Sequence, residues 1–369
     1  MTEVAGSATS TSVSLSHHGY IEYSSHISHY FLTNYHHPME LVINTYGVSI
    51  SRDNEGFVIS NADGRQRIPV AGIDSIQIGR GAQITSDAVM LAVEHEIEVI
   101  FADKSGQPLA RIWSPKYGSI STIRKGQLTF SFSSDAVGWI KDVILRKIEN
   151  QQALLLMLAA DDAKPELRQS TDKAIRRLED YRTKIRTIEG DIVSDIAPTI
   201  RGWEGVASKI YFEALAGFIP EQYHFEKRTR QPATDITNAM LNYGYGLLYG
   251  RIEGALIKAG IDPYIGIMHR DDYNRPVLVY DVIELYRVWV DYVVVRLLSQ
   301  SAITEEHYSV HDDGSYWMEA LGRRILIQSL NDYLDEIVAD SSMPRSRMTQ
   351  ITLYAQRLAQ RFKRYNQAL

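Results

Sequence analysis

The hydrophobic period of this chain changes once, and that change constrains the fold more than any other feature. From Met39 to about Tyr117 the apolar residues come in short β-branched runs, LVINTYGVSISR, FVISNADGRQRIPV, IDSIQIG and IEVIFADKSGQPLARIW, separated by turn residues. Runs of this kind predict strands. Among them, TSDAVMLAVEH at 85–95 predicts one helix behind a Ser/Asp cap, and Asp63-Gly64 and Ser105-Gly106 suit tight connections. Beyond Ser133 the apolar residues recur three and four apart, starting with SDAVGWIKDVILRKIENQQALLLMLAA. Further helices are expected at about 165–188, 191–217, 234–259, 278–300, 317–339 and 345–366. The expected fold class is α+β and multi-domain: a small N-terminal β-rich domain at 39–117 followed by an all-α domain at 134–369. Segment 118–133, with Gly118 and Gly126 in it and Pro115 just before, is expected to be a linker.

Residues 1–38 form a polar His/Ser-rich arm that holds six of the eleven histidines, at 17, 18, 26, 29, 36 and 37. No companion carboxylate or spacing fixes a metal geometry there, so a flexible leader is expected. The start lacks the basic and apolar stretches of a secretory signal. The most apolar region, 277–298, carries Asp281, Glu284, Arg287, Asp291 and Arg296, which a membrane span would bury at high cost. No membrane association is expected, and a cytoplasmic location is. The absence of cysteine excludes disulfides, thiolate zinc sites, iron–sulfur clusters and cysteine nucleophiles.

With 39 Lys plus Arg against 45 Asp plus Glu, the net charge is -6, so any nucleic-acid contact must come from local patches. Two stand out. Lys164–Thr187 holds eight basic and four acidic residues, and Met343–Leu369 holds six basic residues and no acid. Solvated helix faces have the same composition. EKRTRQP at 226–232 adds a short basic loop.

The chemistry concentrates in 281–298. Asp281, Glu284, Arg287 and Asp291 fall at steps of three and four, on one stripe of a helix that is apolar elsewhere. Such a stripe either pairs internally or faces a polar cavity or metal. His269 lies twelve residues before Asp281, and one imidazole with carboxylates is a donor set for magnesium or manganese. Glu204, in RGWEGVASKIYFEALAGF, is a third acid on an apolar helix, and Glu213 on the same helix is an equally charged alternative. Two glycine-rich runs are read as packing and turn features: GYGLLYG at 244–250 has no strand before it, and Gly79-Arg80-Gly81 has no lysine to hold a phosphate.

Six ordered blocks carry a resemblance to a known family. They are ITSDAVMLAVEHEIEVIFADKSGQP, RKIENQQ at 146–152, WEGVASKIYF around Glu204, RTRQPATDITNAMLNYGYGLL at 228–248, GIMHRDDYNRPVLVYDVIELYR around His269 and Asp281, and EALGRRILIQSL at 319–330. Together they resemble the Cas-one family of CRISPR-associated adaptation endonucleases and integrases, over residues 39 to 366. The resemblance implies a β-rich dimerisation domain and an α-helical catalytic domain. It also implies a metal-dependent DNA endonuclease that joins the 3′-OH ends of captured DNA into a CRISPR array, using Mg²⁺ or Mn²⁺. Its partners would be prespacer and repeat DNA, a second copy of the chain, and the Cas-two protein.

By motif, Glu204, His269 and Asp281 are the implied metal ligands. Glu284 stands where many relatives have an aspartate and is expected to be a supporting member of the catalytic set. Arg228, Arg230, Arg287 and Tyr245 are expected to position phosphate oxygens, and Asn238 to orient backbone. A generic metal-dependent repair nuclease and a non-catalytic DNA-binding scaffold are the competing readings.

Overall fold

The structure, a computed structural model, describes residues 12–15, 20–26, 39–43, 45–54, 56–62, 64–71, 73–95, 97–102, 108–112, 120–161, 165–223, 225–269, 275–339 and 344–365. The chain divides into two compact units, Met1–Tyr117 and Gly118–Leu369. The change of hydrophobic period therefore marks the change of unit.

The first unit contains strands β1 (Ser12–Leu15), β2 (Tyr20–His26), β3 (Met39–Ile43), β4 (Ser49–Arg52), β5 (Gly56–Asn61), β6 (Gly64–Pro69), β7 (Ile73–Ile78), β8 (Gln83–Ile84), β9 (Glu98–Ala102) and β10 (Pro108–Ile112), and helix α1 (Ser86–Glu94). One sheet has the order β1-β2-β3-β7-β9-β10 and the other β6-β5-β4-β8. β3, β7 and β9 run parallel, with Leu41 opposite Ile76 and Ile76 opposite Val99. The apolar runs of β3 and β9 suit a parallel position covered on both faces, whereas β7 is interrupted by Asp74, Ser75 and Gln77; Leu41, Val42 and Ile43 are all buried. Strands β4 to β6 alternate instead, turning Ile50, Phe57, Ile59 and Ile68 into the core. Helix α1 is capped by Thr85, whose hydroxyl accepts from the Ala88 amide at 3.3 Å, one residue before the expected cap. Gly81 takes φ +87° with the Tyr46 ring packed against it, so the glycine pair there is a turn, as expected.

The expected structureless arm is corrected in part. β1 and β2 pair antiparallel, and β2 adds parallel to β3. Val13, Leu15, Ile21 and Tyr23 alternate with polar residues, a strand pattern hidden by the Ser/His background, and pairing satisfies their backbone groups. His17, His18, His29, His36, His37, Asp63, Ser105 and Gly106 lie outside the described residues.

The second unit is built on α2 (Ile120–Ser131), α3 (Ser134–Asp161), α4 (Pro165–Thr187), α5 (Val193–Ala216), α6 (Ile236–Lys258), α7 (Val277–Ile283), α8 (Arg287–Ser299), α9 (Ala320–Asp335) and α10 (Arg347–Tyr365). Two short ribbons, β11 (Tyr308–Val310) with β12 (Tyr316–Met318) and β13 (Ile337–Ala339) with β14 (Pro344–Ser346), decorate it, so the unit is helical but not purely so. α6 is apolar nearly all round and is buried along most of its length. A Cβ on its Gly244 would lie 2.5 Å from Val290 of α8, which makes GYGLLYG a packing feature, as expected.

Three boundaries differ from expectation, one of them the helix expected at 317–339, which is α9 with its two flanks in β12 and β13. The predicted linker is helix α2: Ile123, Gln127 and Phe130 form a buried face whose spacing the surrounding glycine and polar residues obscured. Gln127 donates from Nε2 to the Asp262 and Ile265 carbonyls at 2.7 and 3.1 Å and accepts from the Asp262 amide at 3.0 Å. Phe130 is fully buried against Trp139, Phe362 and Tyr365, with ring centroids 5.1 to 6.5 Å apart. The predicted helix 278–300 is broken at 284–286, where the Leu285 and Tyr286 amides bond three residues back. The Leu285 carbonyl turns out to accept from Asn150 Nδ2 at 2.9 Å. Phe130→Ala removes a ring from a site with three aromatic neighbours. It is expected to cost about 3–5 kcal/mol, read as a lower denaturant midpoint; a flexible linker would lose almost nothing.

Candidate active site

Helix α3 brings a cation into its own core face. Ile140, Ile144, Ile148 and Leu155 bury one stripe, and Lys147 and Gln151 occupy positions in that stripe where further apolar residues would be expected. Lys147 pairs with Glu204 of α5 and, at 2.6 Å, with Oε2 of Glu284 from the α7–α8 turn. Burial works against the ammonium, but Glu284 and then Glu204 raise its pKa overall.

Glu284 also accepts from Arg287 Nε through Oε1 at 2.9 Å. Burial opposes its charge, yet Arg287 and Lys147 hold its pKa down to about 2. Its Oε2 is close to Lys147 in ion-pair contact but has no hydrogen bond, and Gln151 Oε1 is likewise buried without one. Both of the alternatives for this stripe are therefore realised: Glu284 pairs with Arg287 and also faces a cavity.

Asp281 is used differently. Its Oδ2 accepts from the Ile267 and Met268 amides at 2.9 and 3.1 Å, and its Oδ1 from the His269 amide at 3.2 Å. Oδ1 also lies 2.7 Å from His269 Nδ1. The carboxylate fixes both the loop and the ring, which directs Nε2 away from it. Burial lowers the His269 pKa; the Asp281 hydrogen bond and the charges of Asp281, Glu284 and Glu204 outweigh that and raise it.

Asp291, on α8, accepts from Tyr211 at 2.7 Å and from Tyr245. It is 1% exposed, and burial pushes its pKa up to about 6 despite the two hydroxyls and the nearby Arg228 and Arg287. The guanidinium carbons of Arg287 and Arg228 lie 4.8 and 5.3 Å from the centre of the Tyr245 ring. The Tyr245 hydroxyl is thus committed to Asp291, and the ring serves as a platform for two arginines rather than as a phosphate donor. Arg228 is itself tied to Thr229, to Asn238 at 2.8 Å and to Asn242 at 2.6 Å. Asn238 accepts from the Thr229 amide and donates to the Lys227 carbonyl, so it shapes the basic loop as expected.

Lys147, Gln151, Glu204, Glu284, Arg287 and Asp291 line one cavity of about 520 Å³, with Arg228, Arg230 and Tyr245 also in its wall. Arg230 is exposed. Glu213 reaches the same cavity but pairs with Lys209 on its own helix, half exposed, so Glu204 is the acid turned inward. His269 lines a different cavity, of about 240 Å³. Of the expected metal ligands, Glu204 shares one cation with the supporting Glu284, Asp281 is saturated by the His269 loop, and His269 meets the two glutamates only through their charge. Among the described residues, no three His, Asp or Glu side chains converge closely enough to hold a metal as they stand.

Lys147 lies in RKIENQQ outside the expected site residues; its only signal in the sequence is a lysine at a core position of an apolar stripe. Across α3, Arg146 lines a groove of about 270 Å³ with Trp139, Asp142, Tyr354, Arg357 and Arg361. On α4, by contrast, Arg182 and Arg186 are spent on Glu179.

Comparison with known proteins gives consistent findings. Residues 41–332 match the family described as CRISPR associated protein Cas1. The chain is 32% identical over 308 residues to a CRISPR-associated endonuclease Cas1 of Archaeoglobus fulgidus, covering 80% of this chain and 88% of that protein. Among solved structures it is similar to a casposase bound to integration product, with TM-score 0.74 and 22% identity over 88% of this chain and 90% of that one. It is also similar to a chain of a Cas6-RT-Cas1–Cas2 complex, with TM-score 0.73 and 23% identity. That match covers 88% of this chain but 34% of the other, so this chain spans about a third of its length. The β-rich first unit and helical second unit are thus a fold seen before.

The Asp291 environment has a pH signature. Its pKa is raised from an ordinary 3.8 to about 6. The stability that it contributes is therefore fully present below about pH 4 and lost as pH rises through 6. Asp291→Asn is expected to gain roughly 3 kcal/mol on the parent protein between pH 4 and pH 7, measured as the difference in unfolding free energy at each pH.

Proposed function

We propose, for a chain that belongs to the CRISPR-associated Cas1 family, that it is a metal-dependent DNA endonuclease and integrase that joins the 3′-OH ends of captured DNA into a CRISPR array. One observation carries this reading: Glu204 and Glu284, from separate elements, meet on a single cation in a cavity walled by arginines. The donors fit Mg²⁺ or Mn²⁺, since both glutamates are carboxylates and Glu284 Oε2 is buried with no hydrogen bond.

Glu204, Glu284 and His269 would hold the ion, and Asp281 would position His269. That assignment exchanges the parts expected of Asp281 and Glu284, because every oxygen of Asp281 is engaged by the 267–269 loop. A divalent cation there would polarise a phosphodiester and stabilise charge developing at phosphorus. Arg230, exposed at the cavity, binds the DNA backbone, and Arg287, held between Glu284 and Tyr245, carries fixed positive charge toward it. Arg146, Arg357 and Arg361 extend phosphate contact along the α3–α10 groove.

The partners proposed are prespacer and repeat DNA, a second copy of this chain, and a Cas2 protein, the last supported by the composition of the similar Cas6-RT-Cas1–Cas2 complex. Self-association is favoured by the end strands β1, β10, β6 and β8, each paired on one side among the described residues. Among the described residues no helix is long and apolar enough to cross a membrane.

Glu204→Gln, Glu284→Gln and His269→Ala are each expected to lower metal-dependent strand joining into a repeat-bearing plasmid by about 10²-fold or more; thermal stability is expected to be retained in the first and third, and to fall in Glu284→Gln, which leaves Lys147 and Arg287 short of a buried partner. Asp281→Ala is expected to lose activity and about 3 kcal/mol of stability together, because it strands three backbone N–H groups. Loss of joining with full hydrolysis in the parent protein would favour a generic nuclease, and metal-independent binding alone would favour a scaffold. For the groove, the slope of log K against log salt on duplex ends is expected to flatten by about 2 in the Arg146→Ala, Arg357→Ala double variant. An unchanged slope would leave the groove outside the DNA path.

A further inference from the structure

Lys147 stands at the position from which one ion reaches both glutamates. Its Nζ pairs with Glu204 Oε1 and lies 2.6 Å from Glu284 Oε2, and its side chain is 6% exposed. The two acids arrive from α5 and from the α7–α8 turn, so nothing in their own backbones forces them to face each other. Without a cation between them, two carboxylates that share one buried partner would repel. The ammonium is thus the contact that both acids share, and on Glu284 Oε2 it stands alone, since Arg287 is taken up by Oε1. An ammonium is a compact single charge on a flexible four-carbon stem, and this one opens directly onto the 520 Å³ cavity.

We infer that Lys147 is a displaceable placeholder: its ammonium keeps Glu204 and Glu284 facing one another, and a divalent cation loads by exchanging with it. One positive charge leaves the pair and two arrive. The stem of Lys147 lets the released ammonium swing into the cavity, where the anionic phosphates of the substrate would meet it. Loading then requires Lys147 to give way, so the protein holds its metal more weakly than the two carboxylates alone would. This inference rests on the metal reading proposed above.

The test is calorimetric titration of the full chain with MnCl₂, paired with thermal unfolding at increasing Mn²⁺. Lys147→Met and Lys147→Gln remove the competing charge, the second keeping a hydrogen-bond donor in case the first folds poorly; Lys147→Arg retains the charge. Both neutral variants are expected to bind Mn²⁺ about tenfold or more tightly than the parent protein, and to gain more in unfolding temperature from it, while Lys147→Arg binds no tighter. Equal or weaker Mn²⁺ binding in both neutral variants, with binding intact in the parent, overturns the placeholder and leaves the metal reading standing. Absence of Mn²⁺ binding in every variant and in the parent overturns both. Binding that survives Glu204→Gln in the Lys147→Gln background also overturns the inference, because the ion would then lie elsewhere.

Discussion

Burying charge inside an apolar helical unit is the constraint on which the rest of the second unit depends. Lys147, Glu284 and Asp291 are each under about 7% exposed and are surrounded by α3, α5, α6 and α8. An isolated charge in such a place costs several kcal/mol, and partners offset that cost only when the geometry is good. Here the charges form a chain: Glu204 to Lys147, Lys147 to Glu284, Glu284 to Arg287, with Arg287 stacked on Tyr245 and Tyr245 bonded to Asp291. Apart from the Glu284–Arg287 pair, which lies three residues apart, the links join separate helices, so the helices must pack in one arrangement for the whole chain of contacts to form. The apolar core holds the helices together, and the buried charges specify how they are placed.

Two of the carboxylates in the 281–291 stripe are held by protein and one is left with spare capacity, which separates structural acids from a chemical one. Asp281 spends its oxygens on three backbone amides and an imidazole, and Asp291 spends its own on two tyrosines. Glu284 keeps one oxygen whose contact is the Lys147 ammonium, the same cation that Glu204 uses. The break between α7 and α8 makes this possible: it offsets Glu284 from the register that a continuous helix would impose and turns it toward α3 and α5.

Much of this was legible in the chain. The period change located the two units, and the 3–4 spacing of Asp281, Glu284, Arg287 and Asp291 located the site. Glycine and polar residues around Ile123 and Phe130 hid α2, because two of its four buried residues are Gly126 and Gln127, which break the apolar pattern. The exchange of parts between Asp281 and Glu284 was not legible, since spacing reports which side chains share a stripe and not which backbone amides come to meet them. Lys147 was invisible for a related reason: a lysine in an apolar stripe has meaning only once its partners, 57 residues away in the case of Glu204, are known.

The packing of α2 and the start of α3 against α10 has a consequence for how the chain is made. Trp139 donates to Tyr354 across 215 residues, and Phe130 is covered by Phe362 and Tyr365. The first helices of the second unit therefore emerge from the ribosome long before their covering helix is translated, with large aromatic rings exposed in the interval. Contacts of such separation form slowly and late. The nascent helical unit spends most of its synthesis as a sticky intermediate, and a ribosome stalled short of α10 releases a chain whose aromatic seam is still open to aggregation.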